Sequence, residues 1–271
     1  MPLSLAHDDS ESLPANEADQ EAPRRLSELV VRRDIDVVLW SMNLHKVRRF
    51  FHQRFWESET RDAEYASRLE SYPRLESVAE HCWHVADIVL LLGRHFTMLD
   101  RNQCLRLAIL HDKMEMLTGD QTPVGRDGTG DSTHAFNPSK RVAKDLTERE
   151  AISEYVSRLP PDARSEQRDL LVEALSGTTN ESRFVKAIDK LQAFCFVLLK
   201  KRGSLEDKHL EFTLQYSLKA PMYWTGLGQH YSEIRSRFLT QVARRRGTSV
   251  KLIEAQLSQF QLDLPFLEPL D

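Results

Sequence analysis

Four residues far apart in the chain have the chemistry of a divalent-metal site: His81, His111, Asp112 and Asp189. Two neutral imidazoles and two carboxylates make a mixed nitrogen and oxygen set. Such a set suits a borderline divalent cation and leaves positions open for water and substrate. A cation held there acidifies water toward neutrality. Glu115, four residues after His111 and three after Asp112, is spaced to take or give a proton on one side of a helix. A single helical histidine is more often a core or surface residue than a ligand, and His-Asp recurs at His7-Asp8 without any such company. The joint spacing carries the reading.

Those residues need elements that converge. Ser77-Val-Ala-Glu80 has the form of a capping box and opens a helix to about His95, with Val78, Cys82, Val85, Ile88, Val89 and Leu92 recurring at three and four. Asp100 can cap a second helix that Gly119 ends. A short connection makes the two an antiparallel hairpin. His81 then lies about 15 residues before the turn and His111 about 10 after it, within roughly two helical turns of one level at ~1.5 Å per residue. The negative end of the second helix favours a bound cation. Further along, residues 184–199 read as a helix that is apolar on most of its circumference, with Asp189 in the middle. A carboxylate buried there needs a cation, and Lys190 is adjacent and expected to turn back poorly.

Other helices are expected near 26–40, 43–57, 141–158, 163–176, 181–201, 227–245 and 248–261, with no strand-like alternation and no internal repeat. Residues 121–140, with Gly125, Gly128 and Gly130, read as a long loop and hence as a mobile functional lid. Arg126, Lys140 and Arg141 flank it and can clamp a phosphate, although each singly reads first as a solvated cation. His134 lies within it and reads first as inert. His84 suits a supporting role better than a second metal.

The rest of the chain bounds the function. Of 271 residues, 41% are hydrophobic and 29% charged, enough to bury a core. The net charge is −4, and residues 1–22 hold six acids and no Lys or Arg, so they read as a solvated acidic tail. That balance argues against a dedicated nucleic-acid-polymer or membrane-surface binder. No apolar run approaches the roughly 18 residues of a membrane span, and the start carries no secretory pattern. The cysteines Cys82, Cys104 and Cys195 form no C-x-x-C and fit the core of a reducing, cytoplasmic protein.

Taken together, Glu76-Ser-Val-Ala-Glu-His81, Leu110-His-Asp-Lys-Met-Glu-Met-Leu-Thr-Gly-Asp120 and Phe184-Val-Lys-Ala-Ile-Asp189 resemble the successive motifs of HD-domain phosphohydrolases. The Leu-Thr-Gly-Asp ending and Thr122-Pro-Val are similar to the branch of bacterial 5′-deoxynucleotidases and a eukaryotic HD-domain-containing 5′-nucleotidase. The resemblance implies an all-α HD-domain helical bundle over residues 65–205. Around it the sequence reads as a disordered acidic tail (1–25), an N-terminal helical extension (26–64) and a C-terminal helical extension (206–271). It implies His81, His111, Asp112 and Asp189 as ligands of one divalent ion (Mn, Co, Mg, Fe or Zn), with Glu115 assisting the attacking water. It also implies Asp120 near the scissile phosphate or the sugar, and Arg74 as a phosphate contact; Arg126 and Lys140 join the candidate phosphate contacts only by their place beside the loop. The family's Arg-Trp pair has only Arg68 with Tyr72 as a counterpart, and the loop after Pro123 is longer than usual. The expected activity is removal of the 5′-phosphate from (deoxy)nucleoside monophosphates by a cytoplasmic homodimer. A nucleotide triphosphohydrolase and a non-catalytic nucleotide-binding regulator are the alternatives.

Overall fold

The structure is a computed structural model that describes Val47 and residues 76–259, with side chains to Leu257. The acidic tail, the helices expected before residue 58, Arg68, Tyr72 and Arg74 lie outside the described residues. The described chain is all α. Its helices are α1 (Val78–Gly93), α2 (Arg101–Leu110), α3 (Glu115–Thr118), α4 (Pro138–Arg158), α5 (Arg164–Ser176), α6 (Asn180–Lys201), α7 (Asp207–Ser217), α8 (Lys219–Tyr223), α9 (Gly228–Arg246) and α10 (Val250–Gln259).

Local chemistry starts these helices where expected. Ser77 Oγ accepts the Glu80 backbone N–H, and the Ser77 N–H donates back to Glu80 at 2.8 Å, closing the capping box of α1. Asp100 accepts the N–H groups of Asn102 and Gln103 and so caps α2. Asn137 caps α4 and Thr179 caps α6.

The core forms around α6. Phe184, Val185, Ala187, Ile188, Leu191, Phe194 and Leu198 are buried around its circumference. That explains the broad apolar pattern of this segment: α6 packs against α1, α2, α5, α7, α8 and α9. Phe184 meets Phe96 edge-on at 5.4 Å and Trp224 at 5.6 Å, the offset geometry that aromatic quadrupoles prefer. Leu210, Ala220, Leu227 and Phe238, all past residue 205, belong to the same core. A smaller cluster joins α4 and α5 through Ile152, Tyr155, Val156 and Leu171, and it takes in Met114.

Two features differ from expectation. The second helix does not run to Gly119; it ends at Leu110, and residues 111–114 form tight turns before the short α3. Lys113 N–H reaches Leu110 O and Glu115 N–H reaches Asp112 O, each at 3.0 Å, which is i to i−3 bonding. Burial of Met114 and a 2.5 Å bond from Lys113 Nζ to Tyr155 Oη hold this turn against α4. Helices α7 and α8 were not expected, because residues 207–223 show no clean apolar stripe and contain Pro221.

Candidate metal centre

Three elements meet at one point. The first turn of α1 brings His81, the α2–α3 turn brings His111 and Asp112, and the middle of α6 brings Asp189. His81 Nε2 is 3.2 Å from His111 Nε2, 3.2 Å from Asp189 Oδ1 and 3.4 Å from Asp112 Oδ2. His111 Nε2 is also 3.4 Å from Asp112 Oδ2. His81, His111 and Asp189 each offer an atom within 4.8 Å of the other two, a group able to hold a metal ion. Atoms sharing one ion at about 2.1 Å would stand roughly 3.0–3.4 Å apart.

The hydrogen bonds settle which ring nitrogens carry protons. His111 Nδ1 faces Ala108 O at 2.8 Å, an atom that can only accept, so Nδ1 is the protonated nitrogen. His81 Nδ1 faces Gln192 Oε1 at 2.8 Å, and the Gln192 amide donates to Glu76 Oε1 at 2.9 Å. The Glu76 carboxylate therefore orients the Gln192 amide, and its carbonyl oxygen demands a proton on His81 Nδ1. Both Nε2 atoms then face a space shared with two carboxylates, and each can offer a lone pair to a cation there. Four electron-rich atoms at such distances need a positive charge between them, and the donor set fits a divalent ion.

Electrostatics say the same. Burial works against a charged His111 ring, but Asp112 first, then Cys82 and Asp189, outweigh it and raise its pKa to about 10, so without an ion its Nε2 holds the proton that a bound cation would replace. Asp189 is held well below the usual carboxylate range: burial opposes this, and Lys190 and His81 overcome it. Lys190 does turn back, contrary to expectation. Its Nζ donates to Asp189 Oδ2 at 2.6 Å, leaving Oδ1 toward His81, and it lies 4.9 Å from the centre of the Tyr216 ring. Four flexible carbons allow a path that ideal-helix spacing disfavours. The His81 side chain is fully buried and that of Asp112 is 21% exposed, so the centre opens on the Asp112 side.

Glu115 is buried at the start of α3. Gly119 ends α3 at φ 73°, which turns the chain into Asp120 at the mouth of the loop. Beyond it lies a cavity of about 260 Å³ whose lining includes Gln121, Thr122, Thr133, His134, Lys140 and Lys144. Lys144 pairs with Glu148; burial works against its charge, Glu148 restores it, and Asp112 and Glu115 add to its stabilisation. Lys144 in the cavity wall thus lies within electrostatic reach of Asp112 and Glu115. Lys140 lines the cavity, whereas Arg126 is exposed and is not part of its lining.

The loop itself is not a slack lid. Thr133 Oγ1 donates to Pro123 O at 2.5 Å, Gly125 N–H donates to Thr129 O at 2.6 Å, and Val124 and Ala135 are buried. At Gly130 a Cβ would run into the Phe136 ring, so that glycine serves close packing rather than motion. Lys219 Nζ ties the loop to α8 by donating to Ala135 O at 2.6 Å.

Sequence reasoning missed Gln192, Glu76, Lys144 and Lys219. Gln192 had a signal: it follows Asp189 by three and shares its face. His84 supports, as expected, by pairing with Glu76 at 2.7 Å. Burial pushes the thiols of Cys104 up to about 12 and Cys195 up to about 11, so neither is a nucleophile near neutral pH.

A family model described as HD domain matches residues 66–229. The chain belongs to the HD-domain family. Within it, the chain is 32% identical over 137 residues to a 5′-deoxynucleotidase of Mus musculus, covering 49% of this chain and 62% of that protein. A 5′-deoxynucleotidase of Schizosaccharomyces pombe is 31% identical over 162 residues, covering 54% and 75%. One of Shewanella oneidensis is 33% identical over 138 residues, covering 48% and 65%. The chain thus spans about three fifths of the mouse relative's length. Among solved structures, a protein described as a predicted metal-dependent phosphohydrolase from Magnetospirillum magnetotacticum MS-1 shares the HD-domain fold. Its TM-score is 0.57 at 20% identity, over 78% of this chain and 94% of that one.

Proposed function

We propose that this protein is a metal-dependent phosphomonoesterase that removes the 5′-phosphate from (deoxy)nucleoside monophosphates. The observation that carries the reading is the convergence of two Nε2 atoms, each on a ring whose Nδ1 proton is already engaged, with two carboxylates. The HD-domain relatives named as 5′-deoxynucleotidases support the substrate class.

His81, His111, Asp112 and Asp189 hold the ion, which when bound supplies Lewis acidity and acidified water. Glu76 and Gln192 keep His81 presenting Nε2, and Ala108 O does the same for His111. In this reading the Glu115 carboxylate accepts the proton of the attacking water. Asp120, at the loop mouth, orients the sugar or the phosphate, and Lys144 and Lys140 offset charge that builds on the phosphoryl oxygens. Arg74 and Arg126 are further phosphate contacts, to be tested by substitution.

Among the described residues no helix is long and apolar enough to cross a membrane. We place the enzyme in the cytoplasm, where its buried free thiols stay reduced. We expect a homodimer, to be checked by sedimentation. The exposed apolar Trp83, Leu90 and Leu91 on α1 favour an interface there.

The test is phosphate release from nucleoside mono-, di- and triphosphates with Mn²⁺, Co²⁺ or Mg²⁺, with and without chelator. Chelator-sensitive release from monophosphates is expected. Release from triphosphates alone, or from none, overturns the proposal.

A further inference from the structure

His134 stands out among the residues the reaction does not use. It belongs to the packed loop and lines the same cavity as Lys144, which lies within electrostatic reach of Asp112. Four basic side chains act on the His134 ring, of which Lys219 is charged only at about pH 7 and below. Burial lowers the ring's pKa first, and Lys144 of α4, Lys190 of α6, Lys219 of α8 and Arg141 of α4 lower it further, to about 3. Those cations have other duties. Lys144 pairs with Glu148, Lys190 with Asp189, and Lys219 and Arg141 both donate to Ala135 O. Beside His134 the cavity offers Gln121, Thr122 and Thr133, which are neutral hydrogen-bonding groups. At about 260 Å³ it lies just under the roughly 300 Å³ floor of drug-sized ligand pockets.

A neutral imidazole amid hydroxyls and an amide, with Lys144 of the same lining neutralised by Glu148, suits the uncharged part of a substrate whose phosphate end is left to Lys140. We propose that His134 is a specificity-determining residue, which hydrogen-bonds the nucleoside part of the substrate whose phosphate sits at His81, His111, Asp112 and Asp189. This rests on the phosphomonoesterase reading. The loop's own bonds fix the backbone on both sides of His134 before substrate arrives: Thr133 Oγ1 donates to Pro123 O, and Lys219 donates to Ala135 O. No lid needs to close. A preset donor and acceptor at the wall discriminates strongly against ligands that leave it unpaired.

The experiment compares wild type with His134→Ala and His134→Gln on a nucleoside 5′-monophosphate and on phenyl phosphate, which has no sugar or base. Expected for His134→Ala is a KM for the nucleotide about tenfold higher, the size of one neutral hydrogen bond. Phenyl phosphate kinetics and bound metal should stay unchanged, and His134→Gln, which keeps a donor and an acceptor, should recover part of the loss. The ratio of variant to wild type should be flat from pH 6 to 9, because the ring stays neutral there. Equal losses on both substrates would make His134 merely structural and overturn the inference. So would no loss on the nucleotide, or a ratio that titrates within that range. If wild type cleaves phenyl phosphate but no nucleotide, the phosphomonoesterase reading of nucleotides falls, and this inference falls with it. Nucleotide hydrolysis without a His134 effect sinks the inference alone.

Discussion

At the scale of residues, the chain Glu76–Gln192–His81 decides what the metal sees. Removing the amide frees His81 to carry its proton on Nε2, where it would block the ion. Gln192→Leu should therefore weaken metal binding about 10–100-fold, the usual weight of a partner that orients a ligand. Competition against a chelator measures it; an affinity equal to wild type would show that the tautomer needs no such support. Glu115→Gln tests a different role. It should keep the metal and lower turnover by roughly 10²–10⁴, as general-base catalysis implies; loss of the metal would make Glu115 a ligand instead. The convergence of the proposed ligands was legible, because His81, His-Asp and Asp189 sit in short local patterns whose spacing survives folding. Their supporting contacts were not. The pairing of Gln192 with Glu76 spans 116 residues, and no local pattern encodes such a contact.

At the scale of elements, the helices that begin with side-chain caps were readable to within a few residues, as Ser77, Asp100, Asn137 and Thr179 show. The break after Leu110 was not, since no Gly or Pro marks it. Anchoring of Met114 and Lys113 on α4 overrides local helix propensity there. That break matters, because it sets where His111 and Asp112 stand relative to Glu115. Its exit is Gly119, at a φ of 73° with nothing within 4 Å of the point where a Cβ would stand. Gly119→Ala should thus act through backbone strain alone, about 1 kcal/mol. A small fall in Tm together with a rise in KM would place Asp120 at the substrate. A fall in Tm with unchanged kinetics would remove Asp120 from the site.

At the scale of the whole molecule, buried lysines give stability a pH dependence. Burial, with Lys190 and Arg141 nearby, lowers the pKa of Lys219 to about 7 from its ordinary 10.5. Between those values the unfolded chain holds a proton that the folded protein does not, so stability rises with pH from about 7 upward. Lys186, lowered by burial and by Lys190 to about 8, adds to the rise over a narrower span. Lys219→Met should flatten the gain in urea midpoint between pH 7 and 9, measured with metal saturating; an unaltered slope would remove Lys219 as its source. The central position of α6 has a further consequence, for how the ion leaves. Asp189 and Gln192 lie on the helix that every neighbour protects, whereas His111 and Asp112 lie on a turn held by a few i to i−3 bonds. Backbone amides of α6 should exchange with deuterium only through global opening, and those of 111–118 through much smaller fluctuations. Chelation should speed exchange in 111–118 first and leave α6 nearly untouched. Metal release would then be timed by the breathing of one turn, at a rate far above that of unfolding.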